Sequence, residues 1–251
     1  MEPMDLLDRG RGPALLLLHG FPLDRRTWEA QVGPLSERFR VIAPDLPGFG
    51  MSASSPAPAS MDDAARGILS LLDSLGVQRF AAAGHSMGGY IVFALHRIAP
   101  DRLTGVGLVS TRAKADTDQA RGAREETARR ALREGPGFLA ESMPARLTAD
   151  GAPGELLDLL GSIIRGATAE GVAAASRAMA SRPDSTPQLQ RIAVPTVVVA
   201  GRKDKIIPPA ESEALARAIP GALPVWCDRS GHLPPMEEPE SVTAALMRLV
   251  G

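Results

Sequence analysis

The stretch Phe80–Pro100, FAAAGHSMGGYIVFALHRIAP, sets an apolar run against an amphipathic one, with small residues crowded between them. Ala83, Gly84, Gly88 and Gly89 surround the hydroxyl of Ser86. Glycine costs roughly 1 kcal/mol against alanine in a helix interior and weakens a strand as well. The cluster therefore signals a backbone shape that larger side chains would obstruct. Residues 79–86 read as a buried strand and Met87–Ala99 as a helix. A sharp turn between them strains the backbone at Ser86 and lifts its hydroxyl above the sheet edge. It also aims the first free amides of the helix at whatever the hydroxyl meets. Gly84-His85-Ser86-Met87-Gly88 thus has the spacing and the context of a G-x-S-x-G nucleophile turn.

Outward from this turn, five more runs are apolar throughout, at 14–20, 40–45, 105–111, 195–201 and 223–228. Strands of that kind suit a parallel sheet covered on both faces. Helical patterns fall between them at 27–39, 60–75, 210–219 and 239–250. Ser60 with Asp63, and Pro239 after Glu238, supply helix start signals. Strand and helix alternate on both sides of a gap, which predicts a doubly wound α/β domain with a mostly parallel sheet and helices on both faces. The gap has no strand pattern and reads as short amphipathic helices broken by Gly and Pro. The expected organisation is a core of 1–112 and 187–251 with a helical cap, or lid, inserted at 113–186. Residues 52–60, SASSPAPAS, read as an exposed loop.

The 251 residues can bury a sizeable core, and 44% hydrophobic with 23% charged residues is ordinary for a soluble domain. A formal net charge of −1 gives no electrostatic reason to expect nucleic acid or a membrane as partner. One cysteine, Cys227 in LPVWCD, excludes an internal disulfide and a Cys-based zinc site, and reads as a buried, inert thiol. The first residues carry no basic segment followed by a long apolar run, and ALLLL (14–18) is too short to span a bilayer. A cytoplasmic protein is expected.

A serine hydroxyl is a poor nucleophile without a base. Of the four histidines, His85 abuts Ser86 and should point away, His96 lies in the following helix and should be partly exposed, and His19 ends a strand where it would order a loop. His232, in DRSGHLPPMEEPE, follows the last strand in a Gly-containing loop that can reach over the sheet, so it is the expected base. The base needs an orienting acid. Asp204 lies just past a strong strand, where open α/β sheets place their ligand crevice; Asp228, a near neighbour of His232, is the rival. The order Ser86, Asp204, His232 is that of a Ser…Asp…His triad. Charge developing on an attacked carbonyl oxygen needs preorganised donors, and the backbone N–H groups of Met87 and Phe21 are the candidates.

With these pieces in order, the chain resembles the α/β-hydrolase superfamily through LLLLHGFPLDRRTW, VIAPDLPGFGMS, GHSMGGY, GRKDKIIPP and SGHLPPMEEPE, over roughly 14–111 and 190–250. Within it the chain looks like serine carboxylesterases and the 3-oxoadipate enol-lactonase-like group. The resemblance implies a cofactor-free, metal-free hydrolase of small-molecule esters with short acyl chains, acting through an acyl-enzyme, as a monomer or small homo-oligomer. It places nucleophile, acid and base on Ser86, Asp204 and His232, and the oxyanion donors on Phe21 and Met87. A serine at this turn argues against the aspartate nucleophile of haloalkane dehalogenases. A lactone substrate is the alternative, and one bearing a carboxylate would want a cation such as Arg112, Arg146 or Arg165. A low-turnover ligand receptor on the same fold is the alternative outside enzymes. The substrate pocket is expected from Trp28, Met143 and Leu147, with Trp28 equally able to serve as helix core.

Overall fold

The computed structural model describes residues 4–53, 55 and 57–249. Among them seven strands form one sheet: β1 (Leu6–Arg9), β2 (Ala14–Leu18), β3 (Arg40–Pro44), β4 (Phe80–His85), β5 (Leu103–Val109), β6 (Thr196–Gly201) and β7 (Leu223–Cys227). Their order is β1-β3-β2-β4-β5-β6-β7, and each pairing is parallel except that of β1 with β3. The interior strands β2, β4 and β6 are buried along their whole length, which is why they read as unbroken apolar runs. Strand β1 gave no such signal. Its sequence, LLDR, has two apolar residues, and it is held as an antiparallel edge by β3 and by the ion pair of Arg40 with Asp8.

Alternation along the strands separates two cores. Leu16, Leu18, Ala82, Val106, Leu108 and Val198 face one side, where they pack with the helices α2 (Met61–Ser74) and α3 (Met87–Ile98). Leu15, Leu17, Ala81, Ala83, Val109 and Val199 face the other, against α1 (Glu29–Ser36) and a C-terminal helix at Pro239–Leu246. Helix α2 starts as its cap predicts: the Asp63 N–H donates to Ser60 Oγ, whose hydroxyl in turn donates to the Asp63 carboxylate. The helix expected at 27–39 is shorter, beginning as a 3₁₀ turn at Arg25–Trp28 and ending at Ser36. The last helix ends at Leu246 and continues as a 3₁₀ turn to Leu249; Val250, in the expected span, lies outside the described residues.

Between β5 and β6 the chain forms α4 (Asp118–Glu134), α5 (Gly137–Ser142), α6 (Pro144–Leu147), α7 (Gly154–Arg165) and α8 (Ala169–Ala180). The two ends of this helical segment are tied together where the Ser185 N–H donates to the Ala113 carbonyl and Arg182 pairs with Asp116, both buried. After β6 come α9 (Pro209–Ala218), then α10 (Pro234–Glu237) and α11 (Pro239–Leu246) following β7.

Two sequence expectations change here. His96 is buried, its ring set among Gln188 and Arg191. The segment 52–60 is not simply an exposed loop: Ser52 and Ser55 are buried, Ala57 and Pro58 half-buried, while Ser54 and Pro56 lie outside the described residues.

Candidate active site

Strand β2 lies between β3 and β4, so the loops leaving β2 and β4 diverge to opposite sides of the sheet and open a crevice at their carboxyl ends. Ser86 stands there with φ +50° and ψ −110°, a conformation that L-residues rarely adopt. The strain is maintained from several directions. The Ser86 N–H donates to the Val109 carbonyl, and the Ser86 carbonyl accepts from the Gly89 N–H and the Thr111 hydroxyl. From Phe80 to His96, Ser86 is the one residue that is not buried.

The glycines around it are required by contact. A Cβ at Gly84 would sit 2.2 Å from the Gly88 carbonyl carbon, and one at Gly88 would sit 2.3 Å from the Leu18 oxygen. The first turn of α3 can therefore lie directly on β4 and β2. Met87 is its first residue, so its N–H has no partner four residues back within the helix. Phe21, in the loop after β2, packs its ring edge-on against Phe49.

Asp204 and His232 meet across two loops. A Cβ at Gly201 would fall 1.9 Å from the Gly231 oxygen, so the bare end of β6 lets the His232 loop pass in contact. His232 Nδ1 lies 2.8 Å from Asp204 Oδ2, with both side chains buried. Asp204 Oδ1 accepts the N–H groups of Ile206 and Ile207 at 2.8 and 2.9 Å. Burial alone would raise the Asp204 carboxyl, but the hydrogen bond and charge of His232, with the two amides, outweigh it and hold the group below its ordinary value. An ionised Asp204 makes Nδ1 the donor and leaves the Nε2 lone pair to accept a proton. Asp228, the rival acid, is 80% exposed at its side chain and pairs with Arg202.

The other histidines have different tasks. His85 Nε2 donates to the His232 carbonyl at 2.7 Å, so the residue beside Ser86 carries the loop of His232. Burial, with the charge of His232 adding, lowers the His85 imidazole to about 3, and the ring stays neutral as a donor. His19 accepts the Leu46 N–H at Nε2 and donates from Nδ1 to the Gly20 carbonyl, tying the Phe21 loop to the loop after β3. Cys227 is buried, and burial, reinforced by the neighbouring Glu238, Asp228 and Glu237 carboxylates, pushes its thiol up to about 12. Among the described residues no group of three His, Cys, Asp or Glu side chains is placed to hold a metal ion.

The sequence reading missed a pair of acids in MEEPE. Glu237 Oε1 accepts the Ala149 N–H at 2.7 Å, while its Oε2 accepts the N–H groups of Gly231 and Leu233. Glu238 accepts the N–H groups of Arg229 and Ser230 and the Ser230 hydroxyl. Together they fold the His232 loop and fasten it to the helical segment, which also receives the His232 N–H at the Leu147 carbonyl, 2.8 Å away. Two acids five and six residues past a histidine were the available signal.

Of the expected pocket residues, Trp28 is a correction. It is fully buried in the core on the far face of the sheet with Leu15, Val32 and Phe39, because α1 packs on that side. Leu147 is buried and Met143 half-buried in the core under the helical segment. A cavity of about 390 Å³ opens elsewhere, beside Met87, lined by Leu46, Phe49, Met61, Ile91, Ala175 and Ala178. Arg146 and Arg165 are exposed, and Arg112 is bound to Asp116.

A thermophilic esterase from Thermogutta terrifontis, solved with malate bound, superposes with a TM-score of 0.94 at 45% identity, covering 97% of this chain and 91% of that one. The enol-lactonase from Burkholderia xenovorans gives a TM-score of 0.89 at 27% identity, over 97% and 95% of the two chains. In sequence, 3-oxoadipate enol-lactonase 2 of Acinetobacter baylyi is 28% identical over 238 residues, covering 93% of this chain and 87% of the relative. The sequence profile of the alpha/beta hydrolase family matches residues 15–246, and with esterases and lactonases among its relatives the chain belongs to that family and is a hydrolase.

Proposed function

We propose that this hydrolase cleaves carboxylic esters through an acyl-enzyme on Ser86. One observation carries the reading: a strained, solvent-reachable serine at the crevice, with a buried Asp204–His232 pair whose His232 loop rests against its neighbour His85. His232 Nε2 takes the Ser86 proton as Oγ bonds to the ester carbonyl carbon, and the carbonyl electrons move to oxygen. The N–H groups of Met87 and Phe21 receive that oxyanion. As the carbon–alkoxide bond breaks, the imidazolium returns the proton to the leaving alcohol. Water, deprotonated by the same nitrogen, then attacks the acyl-enzyme, and the proton goes back to Ser86 as the acid leaves. Asp204 stays ionised throughout and stabilises the imidazolium. The helices of 113–186 act as the cap over this crevice.

Lactone hydrolysis is the second reading, favoured by the likeness to enol-lactonases. The ester reading leads because the cavity beside Met87 is lined mostly by apolar side chains, and its one arginine, Arg66, is paired with Asp63. The test is turnover of p-nitrophenyl butyrate by the parent and by Ser86→Ala. A loss of kcat of at least about 10³-fold is expected; a variant retaining a tenth of the parent activity would overturn the assignment.

A further inference from the structure

The cavity beside Met87 belongs to no residue that the chemistry above uses, apart from Met87 itself. Four segments give most of its wall, with Met4, Ser55, Ala57 and Pro58 closing the rest. Leu46 and Phe49 come from the loop after β3, Met61 and Ala64 from α2, Met87 and Ile91 from α3, and Ala175 and Ala178 from α8. Each helix contributes residues three or four apart, so one face of each is turned into the same space. Where the two opposing helices could have filled it they carry small side chains, Ala64 and Gly67 on α2 and Ala175 and Ala178 on α8. Charge enters only at the outer end, where Asp63 and Arg66 pair with each other at the surface.

Position decides which half of a substrate this space receives. The leaving alcohol takes its proton from His232, so it must lie on the side of the His232 loop. No residue from 201 to 233 lines the cavity. The cavity lies instead on the Met87 side, away from that loop. Resting on the ester-hydrolase reading, we infer that the cavity is an acyl-chain subsite for an unbranched aliphatic chain, entered beside Met87 and leading between α2 and α8 toward Asp63 and Arg66. An apolar cavity of about 150 Å³ already holds a benzene ring, so about 390 Å³ accommodates a chain of roughly six to ten carbons. The substrate class is therefore the medium-chain acyl ester, longer than the sequence resemblance implied.

The test is kcat/KM for p-nitrophenyl acetate, butyrate, hexanoate and octanoate, with methyl, butyl and hexyl acetate as the alcohol series. Each added acyl methylene should raise kcat/KM about fourfold until the cavity is filled. Ala175→Phe and Ala64→Phe, on opposite walls, should each lower the hexanoate-to-acetate ratio at least tenfold, and either one that folds suffices. A flat acyl profile in an enzyme whose turnover depends on Ser86 removes the subsite and leaves the ester reading standing. Variants that alter the alcohol series instead of the acyl series also overturn it. Turnover that survives Ser86→Ala refutes the reading beneath, and the subsite with it.

Discussion

Replacing Gly84 by alanine would place a Cβ 2.2 Å from the Gly88 carbonyl carbon, 2.3 Å from the Gly88 oxygen and 2.4 Å from the Gly89 nitrogen. All three are backbone atoms of the first turn of α3, so no side-chain rotation relieves the clash. Ordinary contact begins at 3.4 Å; the start of α3 must retreat from β4 by about 1 Å. It cannot do so freely, because Gly88 is itself in contact with Leu18 and Gly89 with Thr111. Overpacking of this kind costs about 1–3 kcal/mol, or a Tm lower by roughly 2–12 °C for a chain of this size. The same retreat carries the Met87 N–H away from the oxyanion position, and a misplacement of about 1 Å costs on the order of 10²-fold in kcat. Thermal unfolding and kcat on p-nitrophenyl butyrate would measure both effects. Gly122→Ala is the control: it lies in α4 with nothing near its Cβ, and should raise stability by about 0.5–1 kcal/mol without changing kcat. Native Tm and kcat in Gly84→Ala would refute the steric account of the turn.

Asp204→Asn should lower kcat on the order of 10⁴-fold, because an amide no longer holds His232 in one tautomer, whereas Asp228→Asn, at an exposed side chain paired with Arg202, should stay within about twofold. Comparable losses in the two variants would reassign the acid. Asp116→Asn leaves the buried Arg182 without its carboxylate, which should cost about 3–5 kcal/mol in urea unfolding. The pH dependence follows in sign. Burial raises the Asp116 carboxyl, but Arg182 and Arg124 outweigh it and hold it below the ordinary value. Its contribution is therefore complete above the unfolded carboxyl range near pH 4 and is lost as pH falls through the lower folded value. The parent should lose stability in acid more steeply than Asp116→Asn, and identical acid limbs would remove Asp116 from the account.

The interior strands were legible because burial on both faces leaves an apolar run that needs no knowledge of neighbours. Strand β1 was not, since an edge strand of two leucines and an ion-paired tail has no such signature. Trp28 shows a second limit. Its place at the start of a helical pattern suited core and pocket alike, because the side of the sheet on which α1 packs depends on the direction of the crossover. His96 was read as partly exposed from its place in the helix after the turn; the 3₁₀ turn at Thr186–Arg191 that covers it lies some ninety residues along the chain.

By itself the sequence determined the shape at Ser86, because that constraint is local: five residues, a strand before, a helix after, and backbone atoms too close for a Cβ. The order of Asp204 and His232 along the chain suggested their pairing, but only the tertiary structure shows the close approach of Gly201 to Gly231 that allows it and the fastening of the His232 loop by Glu237. It alone opened the cavity, whose walls come mostly from segments near 46, 57, 61, 87 and 175. A strained turn is set by sterics within a few bonds. A site assembled from distant segments is set by how the whole core packs.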